Sequence, residues 1–363
     1  MDDNSFINSS IKIEPILNTN GIYYVGQYGT SGYASAAKGY LYNFYVNDIP
    51  ITWEPLYFDN SSLENNDQYN IIVKSLINKH IPSYDIVILH STPDLWPSYR
   101  ANHRNVCDGK FVVGYCTWET NKLPPMWVEC INKTVNEVWC PSNYNKTAFI
   151  KSGVTIPIQV VPHIFLPKVL PNKEKIKLID NNNGGIISSN TKYTFYSIGE
   201  LHIRKGIEDT IEAFCKSFST NDPVRLLLKI HYRDYSIKNV EYCKKIINSE
   251  LSKYPNHPSI ICLFNNLSAN EMLALHSLGD CYVSLNKGEG FGLTVFDAFN
   301  YGRKIITTGY GGPIDFLGLN YPGLVNYNLG PVKNMTGFSG NYTEDQEWAY
   351  PSVDHTIELM KKL

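Results

Sequence analysis

The sequence predicts an α/β protein of two doubly wound halves, each built on a parallel sheet. Short apolar runs alternate with amphipathic stretches from end to end, the pattern of strands and helices taking turns. That alternation breaks once, near Pro162, and then resumes. Each half also carries a glycine-rich turn between a strand pattern and a helix pattern. At 363 residues the chain exceeds one ordinary domain and accommodates two. Hydrophobic residues at 43% and charged residues at 18% suit a globular protein with real cores. A formal net charge of -2 leaves no electrostatic footprint for nucleic acid or an anionic membrane surface.

In the first half the apolar runs place strands at 22–27, 51–57, 85–90, 111–116, 137–140 and 158–161. Helical patterns lie between them at 34–46, 68–78 and 143–152. Residues 167–192 are rich in Pro, Lys and Asn and include Asn181-Asn-Asn-Gly-Gly185, which reads as a connector. The second series has strands at 194–198, 225–231, 260–264, 281–285 and 304–308, with helices at 207–218, 269–278 and 292–301. A short helix over 354–363 ends the chain. The expected domains are 1–166, a linker 167–192, 193–345, and a closing segment 346–363. Two similar halves with a loose joint are expected to hold a ligand in the cleft between them.

The polar start Met1-Asp-Asp-Asn-Ser5 lacks a signal-peptide pattern, and no stretch approaches the roughly 18 apolar residues of a membrane span. Eight cysteines are scattered without CxxC or zinc spacing and read as free thiols. A cytoplasmic protein without a membrane span is the expectation.

The strongest chemical signal is Asn286-Lys-Gly-Glu-Gly-Phe-Gly-Leu-Thr-Val-Phe-Asp297. A strand ends near Leu285 and a helix opens close to Gly292, so unpaired backbone N–H groups and the positive dipole end make a site for a diphosphate. Glycines 288, 290 and 292 let the backbone approach a ligand. Glu289 sits in the turn, with Asp297 inside the helix. The second signal is Ser197-Ile-Gly-Glu-Leu-His-Ile-Arg-Lys-Gly-Ile207, where Arg204 offers a bidentate fork and Lys205 a point charge to a leaving diphosphate. A solvated basic turn is the plainer alternative. The third, Gly26-Gln-Tyr-Gly-Thr-Ser-Gly32, has GxxGxxG spacing and misses the GxGxxG dinucleotide fingerprint, although Glu54 follows at a suitable distance. A fourth stretch runs from Gly114-Tyr-Cys-Thr-Trp-Glu-Thr-Asn-Lys-Leu-Pro-Pro-Met-Trp127 to Glu137-Val-Trp-Cys-Pro-Ser142.

With its Gly-Glu-Gly-Phe-Gly-Leu run opening an E-x7-E-like motif, the chain resembles the retaining glycosyltransferases of family four. The resemblance spans nearly the whole chain, from the turn near residue 26 to Trp348. It implies the GT-B architecture, two Rossmann-like domains facing across a cleft, and sugar transfer from a nucleotide-sugar donor, a UDP- or GDP-sugar, to an acceptor hydroxyl. The acceptor is a glycan, glycolipid or protein. On this resemblance Glu289 lies beside the anomeric carbon, Arg204 and Lys205 grip the leaving phosphate, and Gly288, Phe291, Gly292, Leu293, Thr294 and Asp297 bind the donor. Gly32 closes over the donor phosphate from the first half. Asp297 replaces the family's second glutamate, and Glu200 stands where many relatives carry Arg. The fourth stretch resembles one branch of that family, with Glu119 and His90 as candidates for the sugar or acceptor pocket. His90 equally reads as a structural strand-end histidine.

No H-E-x-x-H, P-loop or nucleophile-elbow motif occurs, and no D-x-D follows a strand, so no metal or other cofactor is expected. A nucleotide-sugar epimerase of the same fold, a catalytically degenerate binding protein and a dehydrogenase are the competing readings.

Overall fold

The computed structural model describes residues 19–29, 31–56, 67–179, 184–189, 192–335 and 340–363. The chain divides into two compact units. The first comprises Met1–Thr117 and Leu123–Leu166, and the second Trp118–Lys122 and Pro167–Leu363.

The first unit runs β1 (Ile22–Gln27), α1 (Gly32–Val46), β2 (Ile51–Leu56), α2 (Gln68–Lys74), β3 (Ile86–His90), α3 (Trp96–Asn102), α4 (Arg104–Cys107), β4 (Phe111–Tyr115), α5 (Pro125–Thr134), β5 (Glu137–Cys140), α6 (Asn143–Ser152) and β6 (Ile158–Val160). Its sheet is parallel throughout, in the order β2-β1-β3-β4-β5-β6. Every residue of β3 is buried, as a central strand covered on both faces requires. Ile22, Tyr24, Leu41, Ile88 and Val113 anchor the core. The helix expected over 68–78 stops at Lys74. There the Trp53 amide bonds the Leu76 carbonyl at 2.8 Å, and Asn78 turns left-handed at φ 50, which ends helical bonding. Of the strand expected to reach Tyr57, the last residue lies outside the described residues.

The second unit runs β7 (Lys177–Ile179), β8 (Ile186–Ser188), β9 (Tyr193–Glu200), α7 (Ile207–Ser217), β10 (Val224–His231), α8 (Ile237–Leu251), β11 (Ser259–Leu263), α9 (Ala269–Leu278), β12 (Cys281–Ser284), α10 (Leu293–Asn300), β13 (Lys304–Thr308), α11 (Pro313–Leu317), β14 (Leu324–Val325), β15 (Tyr327–Pro331), β16 (Glu347–Pro351) and α12 (Val353–Lys361). The parallel sheet has the order β11-β10-β9-β12-β13-β14. Successive leucines of β10 serve opposite faces: Leu226 and Leu228 pack with Phe195 and Phe214, and Leu227 with Tyr196 and Tyr282. Each such fully buried side chain stabilises the fold by about 1.5–3 kcal/mol.

Within 167–192, Lys173–Lys175 form a single 3₁₀ turn and β7 pairs with β8 as an antiparallel hairpin. Leu178 and Ile187 fasten this hairpin to the core beside Tyr196 and Leu275. Asn181, Asn182 and Asn183 lie outside the described residues. The stretch 346–363 supplies β16, which pairs antiparallel with β15, and α12, whose Met360 meets Ser217 of α7. Among the described residues no helix is long and apolar enough to cross a membrane.

Both sheets are Rossmann-like, and each has one point where strand order reverses. In the second unit it falls between β9 and β12, the place where open α/β sheets bind ligands beyond the strands' carboxyl ends.

Candidate functional site

The loops leaving β9 and β12 meet at that reversal. After β9 the chain makes one 3₁₀ turn, Ile203–Lys205, and enters α7 through Gly206. Gly206 has φ 61, and a Cβ there would lie 1.9 Å from the Leu285 carbonyl oxygen, so only glycine fits. The Lys287 amide donates to the Arg204 carbonyl at 2.7 Å and ties the two loops together. Glu289 is braced from α11's approach, where the Gly312 amide donates to its carbonyl at 2.8 Å. Gly292 then opens α10 at φ 87 with no side chain capping the helix, which leaves its first N–H groups without an intrahelical or side-chain acceptor.

These loops bring Arg204, Lys205 and Glu289 into one cluster. Lys205 Nζ donates to Glu289 Oε1, and Arg204 Nη1 lies 3.5 Å from the same oxygen. Arg204 is 8% exposed. Its Nη1 donates to the Gly288 carbonyl at 2.7 Å, and its Nη2 lies 3.6 Å from Glu119 Oε1. Among the described residues its Nε is buried without a hydrogen-bond partner. Burial works against the arginine's charge, but the carboxylates of Glu119 and Glu289 outweigh it and keep the group firmly cationic. For Glu289 burial favours the neutral acid, while Lys205 and Arg204 prevail and hold the carboxyl below its ordinary range. The cluster therefore presents a fixed anion flanked by two cations, one of which keeps an unused donor. His202, just before it, is pushed down to about 2 by burial and by the neighbouring Arg204 and Lys205, and stays neutral. Among the described residues no three His, Cys, Asp or Glu side chains gather as metal ligands.

Of the remaining expected donor residues, Gly288, Gly292, Leu293, Thr294 and Asp297 all lie on the β12–α10 turn or in α10 itself. A Cβ at position 288 would lie 2.2 Å from the Glu119 carbonyl oxygen, so this glycine serves a close crossing of two backbones. Thr294 lies in the first turn of α10 near Tyr282, whose phenol donates to the Ile198 carbonyl at 3.1 Å. The Phe291 side chain is turned inward, 4% exposed among Phe296 and Phe316, so any ligand contact there falls to its backbone. Glu200 turns aside and accepts from the Arg233 amide at 3.1 Å.

Glu119 is the other residue expected as a candidate for the sugar or acceptor pocket. It belongs to the second unit and is engaged by protein groups, Arg204 on one oxygen and the Tyr342 hydroxyl, at 3.0 Å, on the other. Tyr342 is a site residue that no motif announces.

Gly32 and His90 belong to the first unit. Gly32 is exposed as the first residue of α1, whose start is capped by Ser31 accepting from the Ala34 amide at 3.1 Å. Thr30 of that turn lies outside the described residues. His90 does not fit a pocket role: it is 1% exposed, its Nδ1 lies 2.5 Å from the Tyr24 hydroxyl, and the Tyr115 ring stands 4.4 Å away. Burial, helped by His163, drives it well below its ordinary range, so it is a neutral core histidine. Glu54, the acidic residue of the dehydrogenase reading, already accepts from Tyr23 at 2.7 Å and Tyr99 at 2.6 Å.

No family model matches the chain. Over 244 residues it is 24% identical to an alpha-1,3/1,6-mannosyltransferase, ALG2, of Kluyveromyces lactis, covering 61% of this chain and 46% of that protein. The chain thus spans less than half the length of this curated relative. Anabaena HepE, solved with UDP and glucose, superimposes with a TM-score of 0.51 at 15% identity, over 81% of this chain and 82% of that one. A trehalose-6-phosphate synthase studied for glycosyl transfer with retention gives a TM-score of 0.53 at 10% identity, over 82% of this chain and 86% of that one. At such identities the likeness establishes the fold, which is the GT-B pair of Rossmann-like domains.

Proposed function

We propose that the chain is a retaining glycosyltransferase of family four that moves a sugar from a UDP- or GDP-sugar to an acceptor hydroxyl of a glycan, glycolipid or protein. The observation that carries this reading is the Arg204–Lys205–Glu289 cluster at the strand-order reversal of the second unit, next to the uncapped start of α10. The partial sequence likeness to a mannosyltransferase, and the fold shared with a protein solved with UDP and glucose and with a synthase studied for transfer with retention, support it. Eight cysteines, none joined in a disulfide, support a reducing, cytoplasmic setting.

As the glycosidic bond breaks, negative charge grows on the departing diphosphate and positive charge on the sugar. Arg204 and Lys205, with the N–H groups of Gly292 and Leu293, are placed to meet the former, and such preorganised donors lower the barrier most. Gly288, whose open side is filled by the Glu119 carbonyl, is assigned to the donor by its place in the turn alone, and Thr294 and Asp297 extend the donor contacts along α10. Glu289 meets the positive sugar. Held below the ordinary carboxylate range, it is a weak base, which favours an electrostatic role over proton abstraction. Gly32 is assigned to the donor phosphate from the first unit, by its place at the start of α1 alone.

The test is an incubation with a panel of UDP- and GDP-sugars and acceptors, with the new linkage analysed by proton NMR. Transfer with the donor's anomeric configuration kept is expected. Inversion, sugar epimerisation without acceptor, or binding with neither transfer nor hydrolysis would each overturn the reading.

A further inference from the structure

The segment Trp118–Lys122 belongs to the second unit although the chain on either side of it belongs to the first. It is fastened far more tightly than a short connecting loop needs. The Trp118 ring stacks on Tyr342 at 4.9 Å. Asn121 donates from its amide to the Glu347 carbonyl at 3.2 Å and accepts from the Glu347 amide at 2.7 Å. Lys122 pairs with Asp345. Between these fixings the Glu119 carbonyl crosses so close to Gly288 that no side chain fits there. The backbone of 119 is thereby set at the residue that precedes Glu289.

The side chain of Glu119 is equally committed. Tyr342 donates to Oε2 at 3.0 Å, which fixes the carboxylate's rotation and aims Oε1 at Arg204 Nη2, 3.6 Å away. Arg204 is then held on one side by Glu119 and on the other by the Gly288 carbonyl and Glu289. An arginine reads a diphosphate by a planar fork, and the fork gains most when its rotamer is settled before the ligand arrives.

We propose that Glu119 is a positioning residue that acts through Arg204: with Tyr342 it aims the guanidinium at the diphosphate of the donor and touches neither sugar nor acceptor. This rests on the proposed function and assigns the segment Trp118–Lys122 to the phosphate half of that site.

The test is a double-mutant cycle read by calorimetric titration with UDP and GDP, which carry a diphosphate and no sugar. Glu119→Ala is expected to weaken the nucleotide bound by the parent about 10-fold, and to have no further effect in an Arg204→Met background. Glu119→Gln keeps acceptor oxygen for Arg204 and is expected to restore affinity to within about 3-fold of the parent. Tyr342→Phe frees the carboxylate and is expected to cost about 3-fold. A loop with a merely structural role would lower the binding-competent fraction, seen as stoichiometry, and leave the dissociation constant unchanged. An unchanged constant in Glu119→Ala, or the same loss in both backgrounds, overturns the inference and leaves the transferase reading standing. A folded parent that binds neither UDP nor GDP overturns both.

Discussion

At the scale of single residues, the proposed chemistry turns on a carboxylate held between two cations. Glu289 is depressed by Lys205 and Arg204 against the pull of burial. A group whose folded value lies below its unfolded one, near 4.3 for glutamate, contributes stability above that value and loses it only as pH falls through the lower one. Glu289 therefore stays anionic throughout the neutral range. Turnover is expected to show no ionisation of this residue between about pH 5.5 and 8. An acid limb in that window that disappears in Glu289→Gln, measured in kcat, would contradict the assignment. Glu289→Gln itself should lower kcat about 100-fold or more while UDP or GDP binding persists, because the lost charge meets the sugar and not the phosphate. Equal loss of both, by kcat and by titration, would place Glu289 on the nucleotide instead.

At the scale of elements, glycines decide where the loops can go. Gly206 and Gly302 both have positive φ, 61 and 70, but only Gly206 faces a backbone oxygen. Gly206→Ala is expected to cost more than about 3 kcal/mol, and Gly302→Ala about 1 kcal/mol, by urea unfolding. Similar costs would show that the Leu285 carbonyl yields easily. The Ser268 capping box of α9 predicts a loss of about 1 kcal/mol for Ser268→Ala in the same assay. Much of this scaffold is legible in the chain. β1, β5, α6, α9 and β13 have the bounds that apolar runs and turn residues imply, with α6 set between Ser142 and Gly153 and α9 opened by Ser268. The expected helices omit α8, although Val240, Cys243, Ile247 and Leu251 recur at helical spacing and pack on the core. The hairpin β7–β8 is masked by a polar composition that looks like a linker. At the site, Arg-Lys-Gly and Gly-Glu-Gly-Phe-Gly mark the cluster by local spacing. The Tyr342–Glu119 bond joins residues 223 positions apart, and no local pattern encodes it. His90 misleads for the converse reason: a strand-end position says nothing of the Tyr24 and Tyr115 rings that close over it.

At the scale of the whole molecule, each unit has its own core, and each core contains histidines that fold in the neutral form. Burial lowers His163 to about 3 and His276 to about 4, and drives His90 well below its ordinary value. The unfolded chain takes up these protons near pH 6.5 and the folded chain does not, so stability should fall as pH drops below that value, by up to about 1.4 kcal/mol per pH unit for each histidine. Urea midpoints that are flat from pH 7 to 5 would contradict this. The central claim is that Arg204 and Lys205 grip a diphosphate. It is tested most directly by titrating UDP and GDP into the parent and into the Arg204→Met, Lys205→Met double variant, with circular dichroism confirming that both are folded. We expect the double variant to bind the parent's preferred nucleotide about 100-fold more weakly or worse. Affinities within about 2-fold of each other would contradict it, since a tenfold change is only about 1.4 kcal/mol and two charge-assisted contacts exceed that.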